Sequence, residues 1–191
     1  MSEPMNPSNP SDMPQSESSA GDATAFDLVF PMPAADLVPH AGRMSLLTRV
    51  LSCEEDRLVA EAALAGDQLF HDSQGDGTGI GGWIGIELMA QAVAAWAGVQ
   101  GRARGEPPRI GLLLGCRKYR STRARFEAGE TLRIEIAREF QADNGLGQFA
   151  CVLHLAGGTP PAADEPPLAQ AQLTVFGPPD PAAFLAGVTT G

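Results

Sequence analysis

In two stretches of the C-terminal half, apolar and polar positions alternate one for one. Leu132, Ile134 and Ile136 interleave with Arg133 and Glu135, and Phe149, Cys151, Leu153 and Leu155 interleave with Gln148, Ala150 and His154. A period of two predicts strands with one face buried and one face wet. Asp143-Asn144-Gly145 between the two runs supplies a tight antiparallel turn. Residues 56–64, 110–116 and 168–176 read as further strands, and residues 44–51 as a short, partly apolar element. One segment breaks the pattern. WIGIELMAQAVAAWAGV (residues 83–99) is apolar or glycine everywhere except Glu87 and Gln91, which predicts a helix buried on all sides. A few strands, one long helix and then a meander of strands make an α+β fold, with a single central helix wrapped by an antiparallel sheet. A membrane span is the rival reading of the helix. The run falls short of the ~20 residues a span requires and holds a carboxylate. The strands that follow, with polar alternate faces, suit a water-soluble sheet.

Composition sets the boundaries. Residues 1–25 hold four prolines and four acids among many serines, with no base and no aromatic residue, and so predict a disordered acidic tail. It lacks the basic start and apolar stretch of a secretory signal. The folded domain is expected over residues 26–178, with a Pro/Gly/Ala-rich flexible insertion at 157–167 between the last two strands and a C-terminal extension at 179–191. The net charge of −10 argues against nucleic acid and anionic membrane as partners. Cys53, Cys116 and Cys151 are odd in number and widely spaced, and there are three histidines. This disfavours a disulfide scaffold and a structural zinc site, and fits small buried hydrophobes in a reducing cytoplasm.

A lone acid on an apolar helix is the most informative feature of the chain, because burying an unpartnered carboxylate is costly. Gln91 lies four residues after Glu87 and shares its helical face, where its amide could orient the carboxyl group. The plainer alternative places Glu87 at the helix edge, paired with an arginine. His71 stands at the head of a polar, Gly-rich loop (residues 71–82) that feeds into the helix. It is either a surface residue or folded back over the helix N-terminus, whose free N–H groups suit an oxyanion. The loop glycines would let a substrate approach the backbone closely. No dinucleotide fingerprint, P-loop or GxSxG elbow accompanies them.

Taken in order, these segments resemble the hotdog-fold 3-hydroxyacyl-[acyl carrier protein] dehydratases over residues 37–176. LVPHAGRMSLLTRVL (residues 37–51) is similar to that family's opening LPHRxPxLLxDRV. His71 stands where the family has the histidine of its GHFPxxP loop. GWIGIELMAQ (residues 82–91) matches the helix start PGVLxxEAxAQ. Three departures stand out: the loop lacks Phe-Pro, Gly81-Gly82 replaces the later Pro-Gly, and Thr48 replaces the Asp before Arg49. They bring the chain closer to the divergent subgroup of aryl polyene and polyketide-like clusters, in which two hotdog proteins can work together.

The resemblance implies dehydration of a (3R)-3-hydroxyacyl thioester to the trans-2-enoyl thioester. His71 would be the base, with an unperturbed pKa near ~6.5. Glu87 would be the acid, its neutral form favoured by burial. The Gly82 N–H at the helix start would polarise the thioester carbonyl, and Gln91 would orient the acid. No metal or organic cofactor is required. The family's pocket combines the histidine of one subunit with the acid of another, so a homodimer or heterodimer is implied. His40 belongs to the opening motif and reads as a structural turn or core histidine, and His154 as a surface residue. Eight of the 13 bases fall between Arg102 and Arg125. Arg117, Lys118, Arg120, Arg123 and Arg125 among them form a candidate patch for an acyl carrier protein and its phosphopantetheine arm. The plainer reading of the patch is a solvated strand edge. Two other functions stand beside the dehydratase: a hotdog acyl-thioesterase using the same helix acid, and a non-catalytic subunit supporting an active partner.

Overall fold

The computed structural model describes residues 28–65, 70–72, 78–157 and 166–184, with His71 and Asp72 described by their backbone alone. The tail at 1–25 and residues 158–165 of the expected insertion lie outside the described residues. In chain order the elements are β1 (Met32–Pro33), β2 (Arg49–Cys53), β3 (Arg57–Ala63), β4 (His71–Asp72), β5 (Gly79–Gly81), α1 (Gly85–Ala103), β6 (Leu112–Ser121), β7 (Arg125–Glu127), β8 (Thr131–Gln141), β9 (Leu146–Leu155) and β10 (Ala169–Phe176). Seven strands form one sheet in the order β1-β2-β3-β8-β9-β10-β6, and β4-β5-β7 form a small second sheet. Every pairing is antiparallel. The α+β expectation of one helix wrapped by an antiparallel sheet holds.

Alternation explains the core. In register across four strands, Ala60, Ile134, Leu153 and Ala169 stand side by side, as do Leu58, Ile136, Cys151 and Ala171. All eight are buried, and they face Leu88, Met89, Ala92 and Trp96 of α1. The burial of Cys151 pushes its thiol up to about 12, and that of Cys53 to about 11, so neither is a thiolate near neutrality.

The helix begins two residues later than the apolar run, after a 3-10 turn at Gly82–Ile84, and continues to Ala103. It ends where Gly105 takes φ +72° and the Glu106 N–H returns to the Gly101 carbonyl. It is not buried all round. One face packs on the sheet, whereas the strip Glu87, Ala90, Ala94 and Ala97 opens onto a groove. The helix passes for a membrane span by length and mean hydropathy, yet 67% of that stretch is buried within the protein.

Two parts of the chain differ from the sequence expectation. The loop at 71–82 contains β4 and β5, which at two and three residues are too short to show a period. The strand expected at 110–116 runs instead from Leu112 to Ser121, because a sheet-edge strand exposed on both faces carries no alternation.

Close packing fixes the opening segment against the helix. A Cβ added to Gly98 of α1 would lie 1.9 Å from the Leu37 carbonyl oxygen and 2.8 Å from its carbon. Backbone on both sides leaves no side chain to yield. Gly98→Ala is therefore expected to cost about 2–3 kcal/mol, or roughly 5–10 °C in Tm, as read by calorimetry.

Register also builds an ion-pair cluster that sequence reading missed. Arg49, Glu61 and Arg133 are cross-strand neighbours on β2, β3 and β8. Glu61, 5% exposed, takes Arg49 Nε and Nη2 at 3.0 and 2.8 Å and Arg133 Nη2 at 3.2 Å. Burial raises the Glu61 pKa, but the hydrogen bonds and charges of the two arginines outweigh it and leave the pKa below the ordinary carboxylate value. A depressed folded-state pKa contributes stability above the unfolded value, and this is lost as pH falls through the folded value. Thermal unfolding at several pH values should show wild type well above Glu61→Gln at neutrality, with the gap closing at acid pH.

Candidate active site

Gln91 is the structural centre of the site. It is fully buried, and its side chain is completely engaged. Oε1 accepts the Leu46 N–H at 2.9 Å, while Nε2 donates to the Met44 carbonyl at 2.7 Å and to Glu87 Oε1 at 2.9 Å. One amide thus ties the segment before β2 to the helix and fixes the acid one turn away. Glu87 sits in the first turn of α1. Its side chain is 35% exposed, so of the two placements left open by the sequence it takes the one at the helix edge, where it opens onto the groove and faces a histidine.

The groove holds about 560 Å³. One wall is the small-residue strip of α1. The other is apolar and comes from Ile110, from Leu112 and Leu113 at the start of β6, from Phe149 of β9 and from Val175 and Phe176 of β10. Arg104, Glu106 and Arg109 lie along it, with Glu106 bridging Arg104 at 3.0 Å and Arg109 at 3.4 Å. A long apolar trough with a few convergent polar groups suits an acyl chain whose reactive end is polar.

His40 is where the structure departs most from sequence expectation. Read as a turn or core residue, it lines the same groove, with Nε2 3.9 Å from Glu87 Oε1. The histidine expected beside the acid, His71, pairs through its backbone with Ile80 on β5, the strand that leads into the helix. His154, on β9 opposite Arg133, is half-buried on the face away from the core.

Gly82 requires a correction. Its N–H donates to the Ala124 carbonyl at 2.7 Å, and its carbonyl accepts the Tyr119 hydroxyl. That amide is spent on holding the helix start to the turn before β7, and is not free for an oxyanion. The amides of Trp83 and Ile84 are the next that a helix start leaves without an intrahelical acceptor. Tyr119, whose hydroxyl burial holds above its usual pKa, was not singled out in the sequence; only the fold brings β6 to the helix start.

The basic patch is divided. Arg117, Lys118 and Arg120 are exposed on β6, the outermost strand of the large sheet. Arg123 is bound to Glu130 at 2.7 Å, and Arg125 lies on β7. Among the described residues no cluster of His, Cys, Asp and Glu could hold a metal ion.

Comparison with known proteins agrees with this fold. A search of curated proteins returned no match. The dehydratase heterocomplex ApeI:P from Xenorhabdus doucetiae superposes with a TM-score of 0.68 at 25% identity, over 81% of this chain and 97% of that one. Zebrafish thioesterase superfamily member 2 superposes with a TM-score of 0.50 at 19% identity, over 75% and 89% of the two chains, and shares the fold alone. The family model for the ApeP dehydratase matches residues 32–186. With the hotdog architecture in place and a match over most of its length, the chain belongs to the ApeP-like family of hotdog dehydratases.

Proposed function

We propose that the protein removes water from a (3R)-3-hydroxyacyl thioester carried on acyl carrier protein, giving the trans-2-enoyl thioester, in the cytoplasmic synthesis of fatty-acid, aryl polyene or polyketide-like chains. The observation that carries this reading is the helix acid Glu87, locked by Gln91 and opening at the side of an apolar groove. Elimination requires a base for the C2 proton and an acid for the departing C3 hydroxyl. Glu87 supplies the acid, Gln91 holds it, and amides at the helix start polarise the thioester carbonyl. His71 is the base that this chain contributes, in the family's arrangement, to the acid of a neighbouring subunit.

That neighbour is a second hotdog subunit, docked along β6. Leu113 and Leu114 are exposed there, on the edge strand of the large sheet. The related dehydratase from Xenorhabdus doucetiae is itself a heterocomplex. Arg117, Lys118 and Arg120 are the exposed part of the cationic surface for the acidic carrier, with Arg125 and the Glu130-paired Arg123 beside them.

The test is product identity. The protein, alone and with a second hotdog subunit, is incubated with 3-hydroxyacyl carrier protein and the carrier is read by intact mass. Loss of one water from the acyl group supports the reading. Release of free carrier thiol makes the protein a thioesterase, and loss of water that needs the second subunit and survives Glu87→Gln makes it a supporting subunit.

A further inference from the structure

The resemblance leaves Glu87 waiting for a histidine from another subunit, yet one already faces it. We propose that His40 is the base at this chain's own Glu87, so that the chain carries a complete acid–base pair in cis. The inference rests on the dehydratase reading of the Glu87 site and names a catalytic residue which that reading does not use.

Three observations carry it. First, His40 Nε2 lies 3.9 Å from Glu87 Oε1, and both side chains are about one-third exposed to the same groove, at 31% and 35%. Two groups this close, facing one acyl-shaped trough, can serve adjacent carbons on one side of a substrate. Second, the imidazole is not occupied with holding structure. Its Nδ1 is buried without a hydrogen-bond partner, and its Nε2 faces the Glu87 carboxylate. A histidine that stabilised the turn would spend Nδ1 on a backbone group. Third, the pair is pre-organised from both sides. Leu37, three residues before His40, is buried against the backbone of α1 at Gly98. Met44 and Leu46, a few residues after it, are held by Gln91. The same amide holds Glu87. One side chain therefore sets the positions of base and acid together, which is what positioning catalysis requires.

The step balances without any further reagent. The neutral imidazole takes the C2 proton at Nε2, and the C–H electron pair becomes the C2–C3 double bond. The C3–O bond breaks, its electrons leave with oxygen, and the hydroxide takes the Glu87 carboxyl proton to depart as water. Imidazolium and carboxylate are left facing each other. Transfer of that proton from His40 to Glu87 restores both groups for the next turnover.

The experiment compares His40→Ala with wild type and Glu87→Gln on 3-hydroxyacyl carrier protein, each as the complex with a second hotdog subunit whose own helix acid has been replaced, so that Glu87 is the acid in the complex. The expected result is a fall in turnover of at least about 100-fold, as for loss of a general base. Added imidazole, entering the vacated space from the groove, should restore at least tenfold of it. Turnover within threefold of wild type overturns the proposal. A loss that imidazole does not restore also overturns it, since the residue is then structural. If Glu87→Gln is inactive while His40→Ala is active, only this inference fails. If Glu87→Gln retains full turnover, the reading of the site falls as well.

Discussion

Glu87→Gln is expected to lower kcat by about 10²–10⁴-fold with little change in KM or Tm. The substitution is isosteric. Its amide oxygen can still accept the Gln91 Nε2 hydrogen bond now made to Glu87 Oε1 at 2.9 Å, so the turn of helix and the groove wall should survive. What disappears is the dissociable proton. Because the side chain is one-third exposed on the groove, the change carries no large burial cost in either direction. Glu87→Asp draws the carboxyl back by one methylene and should fall between the two, since the acid is kept but its reach is shortened. Formation of the enoyl thioester under saturating substrate, in a complex whose second subunit lacks its own helix acid, measures kcat directly. A loss in KM alone would make Glu87 a binding group rather than an acid.

Gln91→Leu should damage stability and turnover together. Leucine matches the amide roughly in size but offers no polar atoms. The Leu46 N–H would be left buried without an acceptor, and the Met44 carbonyl would lose its donor. At about 1–3 kcal/mol for each such group, and less for the partly exposed Met44 segment, the expected loss is about 2–3 kcal/mol, or roughly 5–10 °C in Tm. Turnover should fall by about tenfold or more even well below the new Tm, because Glu87 loses its donor and the segment bearing His40 loses its tether. Calorimetry and turnover on the same preparation separate the two effects. A variant with lowered Tm but wild-type turnover at 20 °C below it would assign Gln91 to the scaffold alone.

How much of this was legible in the sequence depended on what each residue's neighbours were. Strands β8 and β9 could be read because one face is buried and the other wet, so Ile134 and Leu153 stand out against Arg133 and His154. The central helix was legible from its apolar run, but the meaning of that run was only half right. Ala90, Ala94 and Ala97 are apolar because they wall a groove, a surface that composition does not distinguish from core. Glu87 and Gln91 announced themselves as polar interruptions four residues apart. His40 did not: 47 residues separate it from Glu87, and the turn chemistry around Pro39 and Gly42 is enough to account for its motif. Glu61 was hidden for the same reason. Its burial comes from lying between Arg49 and Arg133 in the β2-β3-β8 register, and register is a property of pairing, not of any one strand. The Gly82 amide looked available because its acceptor, Ala124, reaches it only through the contact between the helix start and the turn before β7.

The most direct test of the central claim uses the reverse reaction in deuterated water. The protein is assembled with a second hotdog subunit whose own helix acid has been replaced, leaving Glu87 as the acid in the complex, and is given an enoyl carrier-protein thioester. This account predicts hydration, with water added at C3 and one deuterium at C2, and loss of both when Glu87→Gln is introduced as well. Absence of hydration in the first complex, with full activity restored by returning the partner subunit's acid, would show that the chemistry resides in the partner and would contradict the assignment of Glu87 as a catalytic acid.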